Sequence, residues 1–441
     1  MTASSPHPYI PNTDDDRRAM LDAAGVATAD DLFADIPPDL RIDGLDLPQA
    51  LSEQELVREM AALAGRNQVP GDGVASGGCF LGAGAYRHFI PSVVGHVIAR
   101  SEFFTAYTPY QPEISQGTLQ TMFELQSMVC ELTGMDVANA GLYDGASALA
   151  ESCLMTCNVT GRSRIALLDS LHPHYAAVVR TYAQGRGLAV DVVTDGDLTE
   201  EHACLAVQHP NFFGHLEDVW AHESAAHAAG ALLIAVVDPI SLGMLAPPGH
   251  YAADIAVAEG QGLGSPVSFG GPYLGLFACR QQYLRQMPGR IVGRTTDLDG
   301  RTGYVLTMQT REQHIRRERA TSNICTSQQL VGLTATVYMA AVGKHGLRQV
   351  AETCYHRAHY AAERIAALPG YSLAFQTPFF KEFTVRCPTP PAQLLARLLE
   401  GGIIGGLDVS DHVENGLLIC VTEVNTRDEI DRLVEALGAA R

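Results

Sequence analysis

Polar residues at three places in the sequence have the types and positions needed to hold a flat, phosphorylated ring compound. Asp238 ends an apolar run, residues 232–237, where a carboxylate could pair with a protonated ring nitrogen. Gly145 and Ser147 lie where a helix of small residues begins, and a helix N-terminus is a good site for phosphate. His172 follows another apolar run and could stack on the ring. Together these residues indicate a pocket of the type that holds pyridoxal phosphate (PLP).

Each of these residues also has a simpler interpretation. Asp238 could equally be a turn or capping residue, and Asp144 at the start of the small-residue helix would repel a phosphate dianion. An ordinary loop histidine is the simpler interpretation of His172. A metal site at His172 and His174 is disfavoured, because no carboxylate or third histidine stands in register with them.

A lysine that binds the cofactor as a Schiff base is the fourth requirement for a PLP enzyme. An apolar strand at residues 255–258 leads into a glycine-rich loop where that lysine is expected, but Gln261 and Gly262 stand there instead. The chain has only two lysines, Lys344 and Lys381, and neither lies in a loop that leaves a sheet strand. We therefore expect a degenerate cofactor pocket that forms no covalent bond to PLP. Its predicted residues are Gly145, Ser147, His172, Asp238, Gln261 and Gly262.

Short β-rich runs alternate with helical patterns through the middle of the chain. The runs lie at residues 165–168, 189–193, 204–207, 232–237, 255–258 and 274–279. Continuous apolar runs with helical crossovers predict a mostly parallel sheet covered on both faces. We expect an N-terminal helical segment (1–65), a large α/β domain (66–343) and a small C-terminal α/β domain (344–441).

Bulk composition narrows the classes of function. The 441 residues are 46% hydrophobic and carry a net charge of −19, which argues against binding to nucleic acid or to an anionic membrane surface. No apolar run approaches the roughly 20 residues of a membrane span, and the N-terminus does not resemble a signal peptide. Ten scattered cysteines without a C-x-x-C pair predict reduced thiols. A cytoplasmic location is expected.

A segment dense in aromatic and polar residues precedes the first long helix. Two prolines rule out a continuous helix there and make it an extended or looped segment with many hydrogen-bonding side chains. Its candidate functional residues are Tyr107, Thr108, Tyr110, Gln111, Glu113, Ser115 and Gln116. Interface packing is the alternative interpretation.

Seven motifs spread along the chain resemble those of one family. They are YIPNTD (9–14), TAYTPYQPEISQG (105–117), ELTGMDVAN (131–139), PNFFG (210–214), VDPISLG (237–243), SFGGPYLG (268–275) and ATSNICT (320–326). The chain resembles the P-proteins of the glycine cleavage system over nearly its whole length, in the split form and on the side of the α subunit.

The resemblance implies a PLP-dependent transferase fold of the aspartate-aminotransferase-like type (fold type I). It implies that PLP is bound by a partner, subunit 2 (β), which decarboxylates glycine and passes the aminomethyl group to the lipoyl arm of H-protein. An α2β2 assembly follows, in which the segment from Tyr107 to Gln116 lines the partner's pocket or lipoyl channel. The alternative is a catalytically inactive scaffold or regulator recruited to another PLP decarboxylase.

Overall fold

A computed structural model of the chain describes residues 9, 11–42, 44–67, 77–107, 111, 114–194, 197–325 and 327–439. The chain divides into two compact units, residues 1–68 and 69–441. Within the described residues, no helix is both long and apolar enough to span a bilayer. All ten cysteines are free thiols, in line with the sequence prediction.

The first unit contains helices α1 (Asp14–Ala24) and α2 (Glu53–Ala64). Thr13 and Ser52 cap these helices through capping boxes with acidic residues three positions on. Gly25 ends α1 in the left-handed conformation. The large apolar side chains of α2 are exposed.

A seven-stranded sheet forms the centre of the second unit. Its strands are β1 (Val137–Ala138), β2 (Arg164–Leu168), β3 (Ala189–Val193), β4 (His202–His209), β5 (Leu232–Val237), β6 (Ile255–Glu259) and β7 (Gly275–Cys279). They lie in the order β1-β7-β6-β5-β4-β2-β3. Strands β2 to β6 are parallel to one another, and β7 is antiparallel to both of its neighbours, β6 and β1. The predicted mostly parallel sheet is confirmed.

Alternating residues of each strand pack into two separate cores, one on each face of the sheet. Leu233 and Ala235 of β5 belong to one core, and Ile234 and Val236 belong to the other. The helices of this part are α3 (Ser92–Ile98), α4 (Ser101–Phe104), α5 (Gln116–Thr133), α6 (Gly145–Thr160), α7 (Pro173–Gln184), α8 (Val219–Ala228) and α9 (Gln313–Arg316). Residues of α5 and α8 join the first core, and those of α6 and α7 join the second.

The C-terminal part forms an antiparallel sheet with its own core. The long helix α10 (Gln329–Ala366), broken at Gly343, leads into it. Its other elements are β10 (Ser372–Leu373), β11 (Glu382–Arg386), α11 (Pro391–Glu400), β12 (Leu407–Asp408), β13 (Gly416–Cys420) and α12 (Arg427–Ala439), with strand order β10-β11-β13-β12. The arginine-rich stretch before α10 contains a hairpin that the sequence did not predict, β8 (Ile291–Thr296) with β9 (Thr302–Thr307).

Candidate functional site

The predicted pocket forms at the carboxyl ends of the parallel strands, where open α/β sheets bind ligands. Asp238 follows β5, Glu259 ends β6, and His172 lies in the loop after β2. The pocket is nearly full: its cavity measures about 40 Å³, against roughly 300–1,000 Å³ for typical small-molecule sites.

The carboxylate of Asp238 is already paired with the ammonium of Lys381, the residue before β11. Nζ of Lys381 lies 2.7 Å from Oδ2 of Asp238, and the N–H of Ile240 donates to Oδ1 at 3.0 Å. The other ammonium contacts are Nε2 of His88 at 3.1 Å and the ring of Tyr86, whose centroid is 3.5 Å away. An acid, an imidazole and a π face thus satisfy all three N–H groups of a lysine that is only 2% exposed.

Charge attraction keeps the Lys381 ammonium protonated despite its burial. Burial has the largest single effect and lowers the pKa of Lys381, but the attraction and hydrogen bond of Asp238, together with the nearby Cys420 and Cys354, raise that pKa above its ordinary value. Buried ion pairs with satisfied donors persist because breaking them leaves an uncompensated charge.

His88 extends this hydrogen-bond network to Glu423, which follows β13. Nδ1 of His88 lies 2.7 Å from Oε2 of Glu423. With Nε2 accepting from Lys381, Nδ1 carries the proton. Burial opposes ionisation of Glu423, but its bond to His88 and the N–H of Phe89 bring its pKa to about 2.

Ligand atoms of His88, Cys354 and Glu423 lie within 4.8 Å of one another. The ammonium of Lys381 on the same imidazole would repel a cation, so we interpret the group as a hydrogen-bond network.

Carboxyl groups occupy the start of α6, the predicted phosphate-binding position. Oδ1 of Asp144 accepts from Ser147 N–H at 2.7 Å, and Oε2 of Glu259 accepts from Gly145 N–H at 2.9 Å. Burial raises the pKa of Glu259 to about 7, against the hydrogen bonds donated by Gly145, Leu274 and Gln261. The helix start therefore presents two acidic side chains to any incoming phosphate.

Gln261 stands in the loop after β6, where PLP enzymes of this type carry their lysine. Its amide is fully bonded: Oε1 accepts from Tyr86 N–H at 2.8 Å, and Nε2 donates to the carbonyl oxygens of Tyr86 and Ser265 at 2.9 and 2.7 Å. A Cβ on neighbouring Gly262 would lie 3.2 Å from His88, so the loop packs closely on the network.

His172 and Glu382 complete the lining. The His172 ring stacks on Tyr175 with centroids 5.2 Å apart, and its Nε2–H donates to the carbonyl oxygen of Ala83 at 3.0 Å. Burial lowers the pKa of His172. Glu382 accepts from Ala83 N–H and from the hydroxyl of Tyr86, both at 2.7 Å. The side chains of Asp238, Glu259, Gln261, His172 and Glu382 are thus all bonded within the chain.

PLP does not fit this set of residues. The partner of its ring nitrogen is neutralised by Lys381, and Asp144 and Glu259 occupy the start of α6. Among the described residues that line the pocket, Lys381 is the only lysine or arginine. The remaining volume is too small for the ring.

Of the six predicted pocket residues, His172 and Asp238 line the cavity. Gly145 bonds to the lining residue Glu259, Gln261 bonds to Tyr86, Gly262 packs near His88, and the N–H of Ser147 is held by Asp144. The lining also includes Lys381, Glu382 and Tyr86, whose place in the pocket was not predicted. The sequence does contain a signal that Lys381 is buried and paired. Lys381 stands among the phenylalanines of residues 379–385, and a lysine buried beside a strand needs a carboxylate partner.

The aromatic segment before α5 is described only in part. Thr108, Tyr110 and Glu113 lie outside the described residues, while the side chains of Tyr107 and Gln111 are exposed. Gln116 begins α5 and bonds both backbone groups of Tyr304 in β9, with distances of 2.8 and 2.9 Å. Ser115 precedes it as the N-terminal flanking residue. The interfacial role of this segment stays a prediction.

Comparison with known proteins covers almost the entire chain. The family model for the glycine cleavage system P-protein matches residues 7–437. "Probable glycine dehydrogenase (decarboxylating) subunit 1" of Desulforamulus reducens is 52% identical, with 98% of this chain and 99% of the relative aligned. The protein of that name from Thermomicrobium roseum is 51% identical with the same coverage.

Two solved structures are also similar to this chain. A crystal structure of glycine decarboxylase (P-protein) of the glycine cleavage system, in inhibitor-bound form, is 42% identical with a TM-score of 0.92, covering 99% of this chain and 100% of that one. A sphingosine-1-phosphate lyase of Burkholderia pseudomallei is 15% identical with a TM-score of 0.62, covering 91% and 93%.

The predicted fold class is therefore confirmed as that of the PLP-dependent enzymes of fold type I. Family model, relatives and solved structure agree over nearly every residue, and the chain belongs to the glycine cleavage system P-protein family.

Proposed function

We propose that this chain is the subunit of a two-subunit glycine decarboxylase that does not carry PLP. Its partner, a subunit 2, binds the cofactor, and the α2β2 assembly decarboxylates glycine and transfers the aminomethyl group to lipoylated H-protein. The name "subunit 1" of its relatives supports a partner. The observation that carries the proposal is the pocket itself, where Lys381 neutralises Asp238 and Gln261 stands in the loop after β6.

The contribution of this chain to the partner's site is proposed to come from the segment before α5. Tyr107, Thr108, Tyr110, Gln111 and Glu113 would line the pocket or the lipoyl channel. Two facts support this: Tyr107 and Gln111 are exposed, and Gln116 fixes the following helix to β9. A segment anchored at one end can present side chains to a neighbouring chain at a modest entropic cost.

Glycine-dependent exchange of CO2 in the presence of lipoylated H-protein and PLP tests the proposal. We expect exchange when this chain and subunit 2 are mixed, and none above background with this chain alone. Exchange by subunit 2 alone at the rate of the mixture would contradict the proposal and favour the scaffold alternative. Exchange by this chain alone would contradict it outright.

A further inference from the structure

The pocket of this chain contains a charge pattern that mirrors the two ends of PLP. The cofactor brings a ring nitrogen that pairs with an aspartate at a strand end, and a phosphate that accepts N–H groups from a helix start. Here the aspartate has the ammonium of Lys381 at 2.7 Å, and the helix start has the carboxyl of Glu259 at 2.9 Å.

We propose that Lys381 and Glu259 are built-in substitutes for the cofactor, so that the pocket is a closed, self-satisfied core. Lys381 takes the place of the protonated ring nitrogen at Asp238, and Glu259 accepts a hydrogen bond from the start of α6 in place of the phosphate. The inference deepens the proposed function, because it gives a physical reason for this chain to leave PLP to its partner. It also predicts that removing Lys381 creates a site for small organic ammonium ions.

The surroundings of Lys381 fit a substitute cation rather than an incidental surface lysine. Its ammonium has three partners from two separate parts of the chain: Asp238 after β5, and His88 and Tyr86 before α3. Lys381 itself precedes β11, so the pair joins the C-terminal sheet to the central sheet. The Asp238 side chain is only 13% exposed, so without a cation it would carry a poorly compensated charge.

Glu259 is held as firmly as Lys381. Oε1 accepts from Gln261 N–H at 2.9 Å and Leu274 N–H at 3.2 Å, while Oε2 accepts from Gly145 N–H. Three backbone donors fix the carboxyl at the helix start, and a phosphate could reach Gly145 N–H only by displacing it.

Chemical rescue of Lys381→Ala in the full chain tests the proposal. The substitution removes a propylammonium group, so n-propylammonium is the matched probe and n-propanol is its uncharged control. We expect the variant to melt several degrees below the wild type. Millimolar n-propylammonium should recover part of that loss, and n-propanol should not. Neither compound should change the Tm of the wild type or of Lys344→Ala, a control variant in which an exposed lysine is removed.

Equal effects of n-propylammonium on the variant and the wild type would overturn the proposal, as would equal rescue by n-propanol. If Lys381→Ala fails to fold, Lys381→Met keeps the side-chain volume and removes the charge. Its loss in Tm should at least halve in an Asp238→Asn background, where no carboxylate is left unpaired. The same loss in both backgrounds would overturn the proposal. Because the readout is melting of this chain, failure here is distinguishable from failure of the exchange activity.

Discussion

At the scale of single residues, burial of acidic groups controls how the protein responds to pH. Glu151 of α6 is 3% exposed and borders a cavity of about 440 Å³ that Arg186 and Ser322 also line. Burial raises its pKa to about 7, with Ser322 and Arg186 opposing the rise. A folded-state pKa above the unfolded value contributes stability that is complete below pH 4.5 and is lost as the pH rises through 7.

We therefore expect Glu151→Gln to weaken the pH dependence of stability between pH 5 and pH 7.5. Over this range the free energy of unfolding of the wild type should fall by up to about 3 kcal/mol more than that of the variant, which is an upper limit for a pKa shift of this size. Melting curves at the two pH values measure it, and Glu259 contributes the same trend to both proteins. Glu400→Gln, at the exposed end of α11, is the control. Parallel pH profiles for wild type and Glu151→Gln would contradict the assignment.

Some residues of the site could be predicted from the sequence, and others could not. Asp238 and Gly145 could be predicted because each depends on a local pattern, a strand end or a helix start. The pairing of Asp238 with Lys381 could not, because no local pattern connects two residues 143 positions apart. Burial of Lys381 signals that an acid must be nearby, but only the fold selects which one.

At the scale of elements, the loop after β4 and the backbone of β11 approach so closely that no side chain fits between them. Gly214 has φ +89°, and a Cβ there would lie 2.0 Å from the carbonyl oxygen of Glu382. Gly161, after α6, has a similar φ of +72° but open space around it. The two glycines share the backbone requirement and differ only in packing.

Gly161→Ala should therefore cost about 1 kcal/mol of stability through backbone strain alone. Gly214→Ala should cost several kcal/mol more, because β11 and Lys381 with it must move away from Asp238. Thermal melting of the two variants compares them directly. Equal losses would show that the contact between the loop and β11 is not tight.

Most elements could be predicted because their periodicity is local. Predicted strands such as 189–193 and 232–237 match β3 and β5 at both ends. The β8–β9 hairpin was missed because its strands mix glycines, threonines and one arginine with apolar residues and show no clear alternation. The short strands β10 and β12 have two residues each, too few to leave a pattern.

At the scale of the whole molecule, the chain has the fold of a PLP enzyme, but its pocket does not fit PLP. The central sheet and the position of the pocket at its strand ends follow the common architecture of fold type I. Lys381, Asp144 and Glu259 satisfy from within the groups that a cofactor would otherwise contact. This pocket supports the proposal that the cofactor is carried by a partner chain.

Reduction of the assembled enzyme with borohydride shows which chain holds PLP, because it fixes Schiff-base-linked PLP to the lysine that binds it. The complex of this chain with subunit 2 is loaded with PLP and reduced, and both chains are mapped by mass spectrometry. We predict a stoichiometric pyridoxyl group on one lysine of the partner and none on Lys381. A stoichiometric pyridoxyl group on Lys381 would contradict the proposal that this chain does not carry PLP.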